Sequence, residues 1–258
     1  MPNPNVRKWL LVPDSHYPYE DAKAHRLIDN VINEVKPYGI AILGDFFDFY
    51  AISDHSKDWR RKLDLAEEIS IGNERLKEFD KMGFKEKKFI AGNHEWRLDR
   101  YIDNKAQEVF KMLAPANIIT VRNLPQALDL KNRGWEYTDY KDYTKIGKLH
   151  LTHDTGKAGM NAHRDAQADF ESNVVIGHTH RMAMTVRGSA RGETHAGLML
   201  GWLGDVQQVD YMFKIKALRD WSLGFGIAYH QVSTGFVYVQ PCPIVHYTAL
   251  VEGKIIKL

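Results

Sequence analysis

The chain has 258 residues, enough to bury a large core, and one domain spanning residues 1–258 is expected rather than two small ones. Its 44% hydrophobic and 26% charged residues are an ordinary globular composition, which excludes a disordered chain or a fibrous repeat. The net charge of +2 and pI near 8.4 give no overall basic field of the kind that marks a nucleic-acid binder, while leaving room for a local basic groove.

Cys242 is the only cysteine and sits between Pro241 and Pro243, so neither an internal disulfide nor an all-cysteine zinc site can form. Any metal ligands must then be histidine, carboxylate or amide groups. Residues 1–7 contain Pro2 and Pro4 and no long apolar run, and no stretch approaches the ~20 apolar residues of a membrane helix. The expected location is cytoplasmic, without membrane contact.

The first half alternates strand and helix. Val6 to Val12 is an apolar run ending at Pro13-Asp14-Ser15-His16, and reads as a buried strand. Leu27, Ile28, Val31, Ile32 and Val35 recur at helical spacing, with Pro37 and Gly39 as the stop before a second strand at Ile40 to Leu43. Leu65, Ile69, Leu76, Phe79 and Met82 mark the next helix, ended by Gly83, and Lys88 to Ala91 the third strand. A further helix carries Ile102, Ala106, Val109, Phe110 and Leu113 before Pro115. Such alternation favours parallel pairing.

From Trp135 the pattern turns to strands: Trp135 to Tyr137, Ile146 to Thr152, Val174 to Ile176, Met182 to Arg187, and several short ones from Gly226 onward. One helix, Met160 to Phe170, interrupts them, and Glu252-Gly253 reads as a hairpin turn. The segment from Met184 to Leu258 is expected to build a second sheet and part of a substrate rim.

Five strands end in polar clusters: Asp14-Ser15-His16, Gly44-Asp45-Phe46-Phe47-Asp48, Gly92-Asn93-His94-Glu95, His153-Asp154, and Gly177-His178-Thr179-His180. One such cluster is what any turn or helix cap requires. Five in a row, at the strand edge where open α/β sheets bind ligands, point to a shared site. Gly44, Gly92 and Gly177 suit sharp turns that bring the following side chain inward.

In these motifs the chain resembles the calcineurin-like metallophosphoesterases, from about residue 6 to 182: Asp14-x-His16, Gly44-Asp45-x-x-Asp48, Gly92-Asn93-His94-Glu95, His153 and Gly177-His178-x-His180. The resemblance implies an α/β fold, a four-layer αββα sandwich of two mixed sheets with the metal site at strand C-terminal ends. It also implies two divalent metals, one held by Asp14, His16 and His180, the other by Asn93, His153 and His178, with Asp45 bridging. Two cations ~3.5–4 Å apart repel, so an anionic bridge is a physical necessity. Nitrogen and oxygen ligands suit Mn²⁺, expected here first, as well as Fe, Zn²⁺ or Ni²⁺.

The metals of such a centre lower the pKa of a bridging water, and the hydroxide attacks phosphorus in line. His94 then protonates the leaving oxygen or stabilises its charge, and Asp48 accepts a hydrogen bond from His94 that sets its tautomer. Glu95 either supports this region or favours the N-terminus of the next helix. His150 competes with His153 as the strand-end ligand, but lies three residues away and faces the opposite side of a regular strand. Asp154 either orients a metal-bound histidine or caps a turn.

Arg97 and Arg181 are the candidate phosphate contacts, with Arg100 a further one; solvated surface arginines are the alternative. Lys57-Asp58-Trp59-Arg60-Arg61-Lys62 joins cations to an aromatic, which suits a nucleic-acid strand and equally a helix surface with one anchored tryptophan, the preferred reading. His163-Arg164 and Trp202 are candidates for the rim. Protein phosphatases of the superfamily carry Arg-Gly after the second aspartate of the second block, where this chain has Phe49-Tyr50. The expected activity is therefore that of a phosphodiesterase or nuclease on nucleic acid or nucleotides; the alternatives are a phosphomonoesterase and a metal-binding protein without catalysis.

Overall fold

The computed structural model describes residues 5–55, 57–59, 61–113, 123–209 and 214–258. Residues 1–4, Arg60 and Pro115, and the side chains of Phe110 and Leu113, lie outside the described residues. In chain order the elements are β1 (Val6–Val12), α1 (Ala22–Val35), β2 (Gly39–Ile42), α2 (Leu65–Lys81), β3 (Glu86–Ile90), α3 (Trp96–Tyr101), α4 (Gln107–Leu113), α5 (Leu124–Ala127), β4 (Trp135–Thr138), β5 (Thr144–Ile146), β6 (Leu149–Thr152) and α6 (Ala162–Phe170). There follow β7 (Asn173–Ile176), β8 (Met182–Gly188), β9 (Thr194–Leu200), α7 (Lys214–Asp220), β10 (Gly224–Gln231), β11 (Val237–Pro243), β12 (Thr248–Val251) and β13 (Lys254–Lys257).

Two sheets carry the architecture. The first runs β11-β10-β1-β2-β3-β4, with β1 to β4 parallel and β10 and β11 antiparallel on the free edge of β1. The second runs β5-β6-β7-β9-β8, with β6, β7 and β9 parallel. Alternation along β1 explains how they stack: Trp9 and Leu11 face one side, Leu10 and Val12 the other. Trp9, Leu11, Ala41, Leu43 and Ile90 meet Leu149, Leu151, Val175, Leu198 and Leu200 of the second sheet in an inner core. On the outer face, Leu10, Val12, Ile42 and Phe89 pack with Leu27, Ile28 and Val31 of α1 and Leu76 and Phe79 of α2. Val174, Ile176 and Met199 receive Ala162 and Ala166 of α6. These are the four layers of an αββα sandwich, and each fully buried aliphatic side chain contributes about 1.5–3 kcal/mol.

Local signals set the helix ends. Asp21 caps α1 by accepting from the amides of Lys23 and Ala24, and Asp64 and Glu67 form a reciprocal capping box at the start of α2. Glu252 and Gly253 both adopt positive φ, the turn geometry that closes a two-residue hairpin between β12 and β13.

Three expectations change. The run Ile146 to Thr152 is two strands: Gly147, at φ +53°, turns the chain back so that β5 and β6 pair antiparallel. The segment from Met184 to Leu258 is divided between the sheets, since β8 and β9 extend the second while β10 and β11 complete the first. The helix expected around Ile102 to Leu113 starts earlier, at Trp96, and passes through a π-turn at Ile102–Ala106; Val109, read as part of a buried face, is exposed.

Gly72 allows α2 to lie directly on Phe47, because a Cβ there would stand 2.2 Å from Phe47 Cε1. Alanine favours a helix over glycine by about 1 kcal/mol, but overpacking of this kind costs roughly 1–3 kcal/mol. Gly72→Ala is therefore expected to destabilise the fold, read as a lower urea midpoint at unchanged slope.

Candidate metal centre

Parallel pairing places the C-terminal ends of β1, β2 and β3, and of β6 and β7, on one edge of the sandwich, so the five polar loops converge there across the seam between the sheets. Asp45 ties them together. Its carbonyl accepts from the amides of Ser15 and His16, both at 3.0 Å, and its Oδ1 accepts from the His94 amide at 2.9 Å. Asp14 Oδ1 accepts from the His178 amide at 3.1 Å, which joins the first loop to the last.

Two clusters of side chains result. In one, His16 Nε2 lies 3.1 Å from His180 Nε2, and Asp14 Oδ2 lies 3.2 Å from the same His180 nitrogen. In the other, Asn93 Oδ1 lies 3.1 Å from His153 Nε2 and 2.8 Å from His178 Nδ1, and Asp45 Oδ2 is 3.3 Å from His153 Nε2. All seven candidate ligands are brought into these two neighbouring groups. His16, Asp45, His178 and His180 hold positive φ, an uncommon conformation for residues with a side chain and one that concentrates at functional sites.

The residues fit metal ions. Asp14 Oδ2 is buried and has no aligned hydrogen-bond donor, although two imidazole nitrogens approach the same point. A single proton cannot serve three converging acceptors, whereas a divalent cation does. Burial would push the carboxyls of Asp14 and Asp45 up, but neighbouring histidines, His180 and His153 foremost, hold both below the usual carboxylate range, so each is an anion ready to ligate. The donors are nitrogen and oxygen alone, the set that suits first-row divalent metals.

Outer contacts aim the ligands. His153 Nδ1 donates to the Leu43 carbonyl at 2.8 Å, turning Nε2 toward Asn93 and Asp45. His16 Nδ1 donates to the Asp48 carboxylate at 3.1 Å. His180 is held by rings: it stacks on Trp202 with centroids 4.7 Å apart and meets the edge of Trp221 at 4.4 Å. Glu95, buried beneath the loops, accepts from the amides of Gly92, Asp45 and Phe47 at 2.7, 2.9 and 2.8 Å. It thereby supports both metal loops, one of the two readings left open by the sequence. Asp154 takes the other of its two, accepting from the Gly156 amide at 2.7 Å as a turn cap. His150 packs against Tyr143 and Phe170, away from the cluster.

The expected hydrogen bond from His94 to Asp48 is present, and it is made to the main chain. His94 Nδ1 donates at 2.8 Å to the main-chain carbonyl of Asp48, while the nearest carboxylate oxygen stands 3.9 Å away and serves His16. Arg97 donates to His94 Nε2 at 3.0 Å and to the Asp48 carbonyl at 2.9 Å. Burial first, and then the positive charges of His16 and Arg97 against the opposing pull of Asp45, push the His94 imidazolium down to about 3. Phe49 is fully buried and stacks on Phe47, so the position that carries arginine in protein phosphatases faces the core.

Of the other candidates, Arg181 turns to the carbonyls of Ala158 and Thr179 and to Asp220, and Arg100 pairs with Asp54 at 2.7 Å. His163 is buried on α6 and hydrogen-bonds Thr185, away from any rim. The described residues of the segment 57–62 are not helical and Trp59 is 83% exposed, so the expected anchored tryptophan is not there. Glu68, unremarked in the sequence, is fully buried and accepts from the Ala51 amide at 3.0 Å, anchoring the turn after Asp48 to α2. Trp202 had a legible signal: Gly201-Trp202 follows β9, which is parallel to β7 and ends at the same edge.

The sequence model of the calcineurin-like phosphoesterases matches residues 8–182. No curated protein matches the chain. Among solved structures, the vacuolar protein sorting 29 protein of Cryptosporidium parvum aligns at 14% identity over 97% of this chain and 94% of its own, with a TM-score of 0.48. YfcE, a phosphoesterase from E. coli, aligns at 13% identity over 91% and 98%, with a TM-score of 0.38. A phosphatase from Mycoplasma pneumoniae aligns at 12% over 93% and 94%, with a TM-score of 0.44.

The loop glycines leave room for the ligands. A Cβ at Gly177 would stand 2.5 Å from Asp14 Oδ1, and one at Gly92 would stand 2.2 Å from Asp45 Oδ1. Neither has the positive φ expected of a sharp turn; only Gly44 does, at +92°. Gly177→Ala is expected to lose at least one equivalent of bound metal by elemental analysis while the circular dichroism spectrum stays folded.

Proposed function

Because the chain belongs to the calcineurin-like phosphoesterase family and is a metal-dependent phosphoester hydrolase, we propose that its substrate is a phosphodiester, in a nucleic acid or nucleotide, and that Mn²⁺ fills both sites. Asp14, His16 and His180 would hold one ion, Asn93, His153 and His178 the other, with Asp45 between them. When bound, such a pair supplies Lewis-acid polarisation of the phosphoryl oxygens and a water acidic enough to attack phosphorus.

The observation that carries the diester is the charge beside His94. Arg97 is the guanidinium that reaches His94, while Arg181 and Arg100 are engaged elsewhere. One guanidinium in contact with His94, with Arg61 of the same depression set over the rings of Tyr19 and Tyr50, matches the single negative charge of a diester better than the two of a monoester. Arg97 keeps further N–H donors for a non-bridging oxygen, since a guanidinium has five. His94 lines the cleft with Nδ1 fixed on the Asp48 carbonyl and Nε2 accepting from Arg97; with Arg97 turned to the substrate, Nε2 would be open to take up a proton and pass it to the leaving oxygen.

Turnover of an aryl phosphodiester and of the matching monoester by metal-stripped protein, with and without Mn²⁺, tests this reading. Manganese-dependent hydrolysis that favours the diester is expected; turnover of the monoester alone would overturn the choice. For the role of His94, His94→Ala should lower kcat by about 10²–10⁴ for a nucleoside leaving group. The loss should be much smaller for nitrophenol, which leaves without a proton. Equal losses would mean that His94 only positions its neighbours.

A further inference from the structure

His16 and His153 each aim Nε2 into the centre by donating from Nδ1 to an acceptor, the Asp48 carboxylate and the Leu43 carbonyl respectively. His180 does not. Its Nε2 faces His16 and Asp14, while its Nδ1 is buried and has no hydrogen-bond partner among the described residues. A metal-binding imidazole ordinarily takes its orientation from that outer hydrogen bond. Without one, packing alone decides where the ring points.

Two indoles supply the packing. Trp202 lies flat against the imidazole, with centroids 4.7 Å apart and planes 15° from parallel, and Trp221 meets its edge at 4.4 Å and 81°. The indoles are inclined to each other at 66°, so together they enclose the ring on a face and an edge. Trp202 is buried and also approaches His16, at 6.1 Å between centroids. Main-chain bonds tie its segment to the ligand loops of the same site: the Gly201 amide donates to the Arg181 carbonyl at 2.8 Å, and the Leu203 amide to the Asp14 carbonyl at 2.7 Å. Ser222 closes the arrangement, its amide donating to the His180 carbonyl at 2.9 Å and its carbonyl accepting from the Trp202 amide at 3.1 Å. Gly204 leaves room for the indole, since a Cβ there would stand 2.2 Å from Trp202 Cζ3. Trp202, Leu203, Gly204 and Ser222 all lie beyond residue 182, where the match to the family ends.

We propose that Trp202 is the positioning residue of the metal site formed by Asp14, His16 and His180, its indole face fixing the His180 ring as a hydrogen-bond acceptor does for His16 and His153. The proposal rests on the ligand assignment above and deepens it: the segment after β9 is part of what lets that site hold its ion. An indole face restricts the imidazole without drawing on its proton, so the constraint is one of shape. Another flat ring should therefore serve, and an aliphatic side chain should not.

The test is titration of metal-stripped protein with Mn²⁺, the free ion being read by electron paramagnetic resonance. The unmodified protein should take up two equivalents. Trp202→Leu should weaken one of them by about 10–100-fold, the loss typical of removing a group that orients a ligand, and leave the other within about threefold. Trp202→Phe should keep both within about threefold. Where Trp202→Leu fails to fold, as its melting curve would show, the unmodified protein carries the test. After fluorotryptophan labelling, the fluorine NMR signal of Trp202, identified by its absence from Trp202→Phe, should shift with one equivalent of Zn²⁺, and should not shift in His180→Ala. Two tight equivalents in Trp202→Leu, equal losses in Trp202→Leu and Trp202→Phe, or a Trp202 signal that ignores Zn²⁺ would overturn the proposal. His180→Ala separates this inference from the assignment beneath it. Loss of one equivalent there with none in Trp202→Leu overturns this proposal alone, whereas two equivalents retained in His180→Ala overturn the ligand assignment and this inference with it.

Discussion

Asp45 holds the centre together because its polar groups engage three other loops. Its carbonyl takes the amides of Ser15 and His16, its amide donates to Glu95, and its carboxylate receives the His94 amide and lies against His153. A left-handed backbone at this residue makes the pattern possible, since it turns the carbonyl back toward the first loop as the side chain points forward. The charge inside the fold is consequently fixed before any ion arrives.

That fixed charge has consequences outward from the centre. Carboxylates and imidazoles crowded into a buried volume are tolerated only where each is paired or receives a cation. The supporting residues differ in kind: a main-chain carbonyl for His153, a carboxylate for His16, and the flat face of Trp202 for His180. Glu95 contributes no ligand, yet its three amide contacts keep the second and third loops at a set separation. Preorganisation of this sort is what lets a centre act without rearranging at the moment of reaction.

The cleft beside the centre is shaped by what replaces the arginine of the protein phosphatases. Phe49 is drawn into the core by stacking on Phe47, and Tyr50 turns toward the cleft, where it holds Arg61. Arg97, three residues after His94, lies against the His94 ring instead. Cationic groups of the cleft thus arrive from a helix and from the segment 57–62, elements that the ligand motifs do not include.

Much of the fold and nearly all of the candidate centre were legible in the chain itself. Apolar runs of strand length that end in Asp, Asn or His announce strands and ligand loops together, because a parallel strand must deliver its polar residues at its C-terminal end. Helical periodicity marked α1 and α2 for the same reason that their apolar faces had to be buried. What local pattern could not convey was pairing over distance. β10 and β11 carry no sign that they close the free edge of β1 rather than extend the second sheet, and Gly147 gives no hint within one apolar run that it folds β5 onto β6. Likewise, Asp48 lies close in sequence to the site but the partner of its carboxylate, His16, and that of its carbonyl, His94, depend on where two loops from different strands meet. Arg97, Arg100, Arg181 and Arg61 are alike as letters; only tertiary structure, by supplying Asp54, Asp220 and two tyrosine rings as partners, decided which of them line the depression beside His94.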